Sequence, residues 1–436
     1  MHKMTIDKLG PIGHAELIDN KYMVFIGSQA SGKSTIAKAM YFFRTIKDDI
    51  LLMMIKKSTG STVDVDTNEK FLTSVNRLLR EKFLGIFGSS RAMDKYMQLE
   101  YRYNEATYIK IALDKDSKYN NPNFVLFEYS QNIVEYFMQN DDILDRYTAG
   151  ISDSEITSAK EELESLFNDK HEIVYIPAGR SMITLLATQL NYIYSTMDDV
   201  QKRTIDLCTR SYLENIIKQR PLFSNGLNGL ENDNPIKARN NKDNLLKAKK
   251  LIRSILKGGY RFYNGEDRLD INSNRYVKIN FASSGQQEAV WIVNLLFYYL
   301  VQGCPSFFII EEPESHLFPE AQKQIVELIS IVRNAGHCIL VTTHSPYVLG
   351  SINNLLYASQ LPEKCIKSAS RVLDCALWLR KSDVSGWFIQ DGIIADCVDS
   401  ETGLIQNELI DDISNVINDD FDKLLSINTD VEEAGE

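Results

Sequence analysis

An α/β fold, in which helices flank a sheet and a mainly helical segment is inserted, is the class this sequence predicts, and two stretches carry it. Tyr22-Met23-Val24-Phe25-Ile26 reads as a short apolar strand and Ile36 to Phe43 as the first turns of a helix. Between them lies Gly27-Ser28-Gln29-Ala30-Ser31-Gly32-Lys33-Ser34-Thr35, a G-x-x-x-x-G-K-[ST] loop in the strand–loop–helix setting that gives the pattern its meaning. Further on, helix and strand alternate densely: helix 284–302, strand 306–311, helix 318–335, strand 337–342, helix 345–356. That alternation argues for a parallel sheet covered by helices.

The remaining elements come in order. Residues 4–18 alternate and turn as a strand hairpin, and 67–87 read as helix. Residues 98–113 and 123–129 carry strand signals, and 153–257 are mainly helical apart from the strand Ile173-Val174-Tyr175-Ile176 and a polar loop at Asn225–Asn234. Short strands return from Tyr260 to Phe281. Asp391-Gly392, between Trp387–Gln390 and Ile393–Ala395, marks a hairpin. Leu409, Ile413, Val416, Ile417, Phe421 and Leu424 then recur at helical spacing with acids between them, predicting an amphipathic tail helix docked on its apolar side. The predicted organisation is an N-terminal lobe at 1–66, an insertion at 67–258, a C-terminal lobe at 259–358, and a hairpin with acidic tail at 359–436.

Composition narrows the class. The chain has 436 residues, 44% hydrophobic and 25% charged, which is ordinary for a globular protein. No apolar run reaches the ~20 residues of a membrane helix, and the N-terminus has no basic-then-apolar export pattern, so a cytoplasmic protein is expected. The net charge of −11 is uneven: fourteen Asp and Glu against one Lys fall after residue 390, leaving the rest near neutral. The six cysteines include no C-x-x-C pair, and most read as reduced core residues, not a zinc site.

The phosphate loop points to a nucleoside triphosphate. Its glycines let successive N–H groups turn inward at phosphate oxygens, and the following helix start adds to that field. Lys33 is expected at the β- and γ-phosphates and the Ser34 hydroxyl on Mg²⁺. Phe307-Phe308-Ile309-Ile310-Glu311-Glu312 is a buried strand ending in two carboxylates, costly to bury without a purpose. Because strand side chains alternate, Glu311 is expected to face Mg²⁺ and Glu312 the attacking water. Ser283-Ser284-Gly285-Gln286-Gln287 opens a helix as an anion site or a plain N-cap. His344 comes directly after another buried strand.

The order of these motifs resembles an ABC-type ATPase head, in particular the RecF, SMC and OLD-like branch that includes the AAA-15 and AAA-21 ATPases. Glu311-Glu312-Pro313-Glu314-Ser315-His316-Leu317-Phe318-Pro319 and Thr343-His344-Ser345-Pro346 carry the likeness, which covers residues 1–44 and 275–358. The resemblance implies a mixed sheet, ATP and Mg²⁺ as cofactors, and two heads that close on ATP into a homo-oligomer. It implies that Ser283, Ser284, Gly285 and Gln286 contact the partner's nucleotide, that His344 senses the γ-phosphate in cis, and that Ser315 and His316 touch the opposite subunit. It also implies an ATPase of bacterial anti-phage defence, similar to the Septu and PARIS ATPases, acting on a separate nuclease or toxin. A RecF-like DNA-repair ATPase is the alternative.

Two departures stand out. S-S-G-Q-Q occupies the place of L-S-G-G-Q, and Glu311 replaces the shorter Walker B aspartate, implying an altered Mg²⁺ geometry and slow turnover. Gln98 and Gln131 are the candidates for the glutamine that couples nucleotide state to the head. From Lys237 to Lys257, eight Lys and Arg stand against Asp243 alone; this is either a solvated helix face or a contact for nucleic acid or an acidic partner. Arg180 is either a phosphate contact or a structural arginine.

Overall fold

The computed structural model describes residues 1–58, 70–114, 124–141, 151–184, 206–239, 241–272, 274–406 and 416–424. The chain opens with β1 (Lys3–Leu9), β2 (Ile12–Ile18) and β3 (Tyr22–Gly27), then α1 (Lys33–Arg44), α2 (Ile46–Ser58) and α3 (Phe71–Phe87). Strands β4 (Gln98–Arg102), β5 (Tyr108–Asp114) and β6 (Phe124–Tyr129) lead to α4 (Gln131–Gln139), α5 (Asp153–Leu166) and β7 (Glu172–Ile176). Next come α6 (Leu207–Gln219), α7 (Gly226–Asp233), α8 (Pro235–Arg239) and α9 (Lys242–Leu256), then β8 (Gly259–Tyr263), β9 (Glu266–Asn272) and β10 (Arg275–Lys278). The chain closes with α10 (Ser284–Gln302), β11 (Ser306–Glu311), α11 (Pro319–Asn334), β12 (Cys338–Thr343), α12 (Pro346–Gln360), α13 (Glu363–Val372), β13 (Val384–Gln390) and β14 (Ile393–Asp396).

Eleven of these strands form one mixed sheet in the order β6-β5-β4-β1-β2-β14-β13-β3-β12-β11-β7. The half built from β13, β3, β12, β11 and β7 is parallel, and the half from β6 to β2 is antiparallel. The result is a mixed sheet flanked by helices, the α/β class the sequence predicts. Strand alternation sorts the core into two layers. Tyr22, Val24, Ile26, Phe308 and Ile310 face the layer of α9 to α12. Met23, Phe25, Phe307 and Ile309 face the layer of α1 to α3.

The structure departs from the sequence reading in three places. Asn225–Asn234 is helix α7 instead of a polar loop, because Leu230 is buried in the core and Leu227 packs against it. Of the six cysteines only Cys208 and Cys397 are buried; Cys304 and Cys375 are exposed. The tail helix is not docked over its described part: in residues 416–424, Val416, Ile417, Phe421 and Leu424 are each at least half exposed. Leu409 and Ile413 lie outside the described residues.

Candidate functional site

The parallel strands β3, β11 and β12 end together, and their tips carry the phosphate loop, the carboxylates and His344. The loop turns through Ala30 at φ +61° and Gly32 at φ +113°. A Cβ at Gly32 would also lie 2.3 Å from the Ile12 side chain, so only glycine fits. Ser28, Gln29, Ala30 and Ser34 are exposed, Thr35 is half-buried, and Gly27, Ser31, Gly32 and Lys33 are buried. The Lys33 ammonium donates to the carbonyls of Gly27 and Ser28, at 2.8 Å each. Burial pulls its pKa below the ordinary range, against the opposing pull of Glu312, Glu314 and Glu311. Lys33 therefore stands at the loop among three carboxylates.

Glu311 is buried at the end of β11; one carboxylate oxygen accepts from the Ala178 N–H at 3.3 Å, and the other has no partner. Burial, and after it the Glu311 charge, holds the Tyr175 phenol well above its usual range. Glu312 leaves the strand at φ +43°. The two acids therefore diverge through a left-handed backbone step and not through strand alternation alone. That step is fixed from three sides. The Glu312 N–H donates to the Thr342 carbonyl at 2.9 Å, its carbonyl accepts from Arg180 at 2.9 Å, and its carboxylate accepts from the Ser315 hydroxyl at 3.2 Å.

Glu314 does not stand out in the sequence, yet it belongs to this cluster. It is 4% exposed and accepts from the Thr343 hydroxyl at 2.6 Å and from the His344 N–H at 3.0 Å. The His344 ring lies 3.6 Å from Glu312 and 3.7 Å from Glu314. The signal available was the density of acid, three carboxylates in four residues after an apolar strand. Arg180 resolves as structural. It is fully buried and donates to the carbonyls of Pro177, Glu311, Glu312 and Glu288, tying β7 to the tip of β11. Its charge faces Glu288 at 3.3 Å.

A divalent cation fits this cluster. One oxygen each of Glu311 and Glu314 is buried without a hydrogen-bond partner, an arrangement that disfavours a carboxylate until a cation meets it. The exposed Ser34 at the start of α1 adds a hydroxyl. Among the described residues no group of three or more His, Cys, Asp and Glu is placed to hold a metal, and Mg²⁺ held largely by phosphate and water needs none.

Ser283 caps α10 in a reciprocal box: its hydroxyl accepts from the Gln286 N–H, and Gln286 accepts from the Ser283 N–H at 3.0 Å. The Gln286 amide also donates to the Leu256 carbonyl at 2.8 Å, and Gln287 donates to the carbonyls of Ile279 and Ala282. A Cβ on Gly285 would lie 2.7 Å from the His316 carbonyl, so this helix start touches the Ser315–His316 loop backbone to backbone. His316 itself sits at φ +59°. Ser283 and Ser284 are exposed, and among the described residues no hydrogen bond or ion pair joins the signature to the phosphate loop or to Glu311 and Glu312. Gln98 begins β4, in register with Asp7 of β1 and Ala112 of β5, and Gln131 donates to Glu135 at 2.8 Å; among the described residues neither is hydrogen-bonded to Glu311, Glu312 or His344.

A family model described as AAA ATPase domain matches residues 2–349, most of the chain. Three solved structures are similar to it. One is an SMC head bound to the C-terminal winged-helix domain of ScpA, 12% identical over 90% of this chain and 95% of that one, with a TM-score of 0.40. Another is an SMC head with an extended coiled coil bound to the C-terminal domain of ScpA derived from Pyrococcus furiosus, at 14%, 91% and 96%, TM-score 0.36. The third is an SMC head domain from Thermotoga maritima, at 13%, 90% and 97%, TM-score 0.34. No curated protein matches the sequence. No described helix is long and apolar enough to cross a membrane.

Proposed function

The chain belongs to the AAA-15 family of AAA ATPase domains, and on that premise we propose that it is an ATP-driven switch in which two copies close head to head on the nucleotide. In the closed state Gly27 to Thr35 holds the triphosphate and Lys33 moves from the loop carbonyls to the β- and γ-phosphates. Ser34 and Glu311 would hold Mg²⁺, which would supply positive charge to offset that of the phosphates. Glu312 takes the proton of the attacking water, and His344, next to Glu312 and Glu314, reads the γ-phosphate. Ser283, Ser284 and Gly285 of one copy complete the site of the other.

One observation carries this reading. The start of α10 is capped from within, its two serines are exposed, and among the described residues the signature makes no bond to its own phosphate loop, so it is available to a second copy. Glu312→Gln in ATP should run as a dimer by light scattering while Lys33→Ala stays monomeric. Glu312→Gln loaded with ATP but still monomeric would overturn head closure.

We assign as the controlled partner a separate nuclease or toxin of bacterial anti-phage defence, on the resemblance of the Glu311–Pro319 and Thr343–Pro346 runs to such ATPases. Cells carrying this chain with its neighbouring gene should plate phage less efficiently, and Lys33→Ala should restore plating. Equal plating with and without the intact pair would refute the assignment.

A further inference from the structure

A cavity of about 680 Å³ opens between α9, the start of α7 and the small sheet β8-β9-β10, and it shares no lining residue with the phosphate loop, the carboxylates or the signature. Its volume lies within the range of ligand pockets. The sequence builds it from two sources of positive charge. Helix α9 turns its apolar stripe, Leu245, Ala248, Ile252 and Leu256, into the core, which leaves Lys249, Lys250 and Arg253 at the cavity. The hairpin β8–β9 turns tightly through Asn264 and Gly265, both at positive φ, and sets Arg261 directly opposite Arg268 across the strands. On the other side Arg268 pairs with Lys278 of β10.

Like charges placed opposite each other on a sheet are destabilising. Asp270 offsets part of this, forming ion pairs with Arg261 at 3.0 Å and Arg268 at 3.2 Å. Among the described residues it is the one carboxylate lining the cavity, against six cationic side chains. Lys249 is paired with Glu231 at 2.9 Å. Lys250, Arg253 and Arg275 are exposed and make no ion pair among the described residues. The Arg268 guanidinium lies over Tyr276, 4.9 Å from the ring centre, and that ring is half exposed. Four asparagines, 225, 228, 272 and 274, line the remaining wall.

We propose that this cavity is a second ligand site, which takes a phosphodiester-linked ligand of oligonucleotide chemistry. Guanidinium and ammonium groups meet the phosphates, the Tyr276 ring offers a face for a base, and the asparagine amides reach base or sugar edges. The same chemistry could come from a free short oligonucleotide or from a strand of single-stranded nucleic acid, and probe length separates the two. The proposal stands independently of head closure, since none of its residues belongs to the ATP site.

The test is fluorescence anisotropy of the full chain with a short and a long oligothymidylate, about four and about twenty nucleotides. The double variant Lys250→Glu/Arg275→Glu is compared with Lys364→Glu/Lys367→Glu, which makes the same charge change on exposed positions of α13. Wild type and the α13 variant should bind alike, and the cavity variant at least tenfold more weakly. The logarithmic salt slope should be about −2, as for three phosphates on a single strand. Equal affinity for both lengths identifies a free oligonucleotide, and tighter binding of the longer probe identifies a strand; either supports the site. Wild-type binding no tighter than the ~10⁻⁴ M of non-specific attraction, or equal loss in both double variants, overturns it.

Discussion

Glu312 sits at φ +43°, where the Cβ of an L-residue meets its own backbone and the conformation costs about 1–3 kcal/mol. Arg180, Thr342 and Ser315 hold it there. Glycine has no such cost. Glu312→Gly should therefore raise the unfolding free energy by about 1 kcal/mol while abolishing ATP hydrolysis. Urea melts and a phosphate-release assay measure the two, and a glycine variant less stable than wild type would show that the carboxylate's own bonds outweigh the strain. Arg180 behaves oppositely. Removing its charge in Arg180→Met takes the counter-charge from the 1%-exposed Glu288, which keeps only the Arg180 and Ser181 N–H groups, and should cost about 3–5 kcal/mol. The double variant Arg180→Met/Glu288→Gln, which removes the unpaired charge but keeps an amide oxygen for those N–H groups, should recover part of that loss in thermal melts. The acids at 311 and 312 were legible because they end an all-apolar strand. Glu314 was not, since its partners Thr343 and His344 lie 29 and 30 positions away and only the pairing of β11 with β12 brings them near. Nothing in the chain around Arg180 distinguishes a phosphate contact from a clamp until its donors are seen bonded to four carbonyls.

At the scale of elements, the strands and helices that end at the site were legible because each is a continuous apolar run flanked by glycine, proline or a cap. Helix α7 was not. Its two leucines are sparse among Asn, Gly and Asp, and it forms because Leu230 completes the layer beside α10 and β8, a case of tertiary packing overriding propensity. The opposite end of the sheet carries a buried charge group that local patterning does not show. Asp169 bonds His171 at 2.8 Å and Arg44 at 2.8 Å, and His171 lies 3.5 Å from Cys338 at the start of β12. Burial pulls the His171 imidazole down, but its bonds to Asp169 and Cys338 outweigh that and raise it to about 9. A histidine raised from its unfolded value of about 6.5 stabilises the fold fully below that pH and loses this as pH rises through 9. The Asp169 carboxyl is opposed by burial but is held well below its ordinary range by His171 and Arg44. Its contribution is therefore present above about pH 4 and lost only in strong acid. Burial, and then His171, lowers His337 to about 4, which removes stability as pH falls below about 6.5. The chain should thus be most stable near neutrality and lose about 3 kcal/mol from the His171 contribution on going to pH ~9.5. In urea unfolding at the two pH values, His171→Gln should flatten that alkaline limb; an unchanged limb would assign it to other groups.

For the whole molecule, the order of strands is what the sequence conceals. The hairpin β13–β14, read as a segment after the second lobe, lies in the middle of the sheet. β13 runs parallel to β3 from Val384↔Tyr22 to Ile389↔Gly27, and β14 reaches β2 at Ile393↔His14. Trp387 stacks on Phe25 with ring centres 4.9 Å apart, in the core layer of α1. The strands from the 67–258 segment likewise extend the same sheet, with β4 paired to β1. Short apolar strands can pair with many partners, and only burial on both faces of the assembled sheet selects among them. The hairpin β13–β14 therefore joins the two halves of the sheet and supports the strand that feeds the phosphate loop. Residues 416–424, the described part of the tail, are exposed throughout. Two truncations should accordingly behave in opposite ways. A chain ending at Gln406 keeps β13, β14 and the Val398–Ile405 bridge, and it should bind ATP and melt within a few degrees of the full chain. A chain ending at Arg380 loses β13, leaves Phe25 and the β3 backbone facing water, and should expose an unpaired strand edge that aggregates. Calorimetry and a labelled-ATP binding assay on both would settle it. A soluble, ATP-binding chain ending at Arg380 would mean that the antiparallel and parallel halves fold without the strand between them.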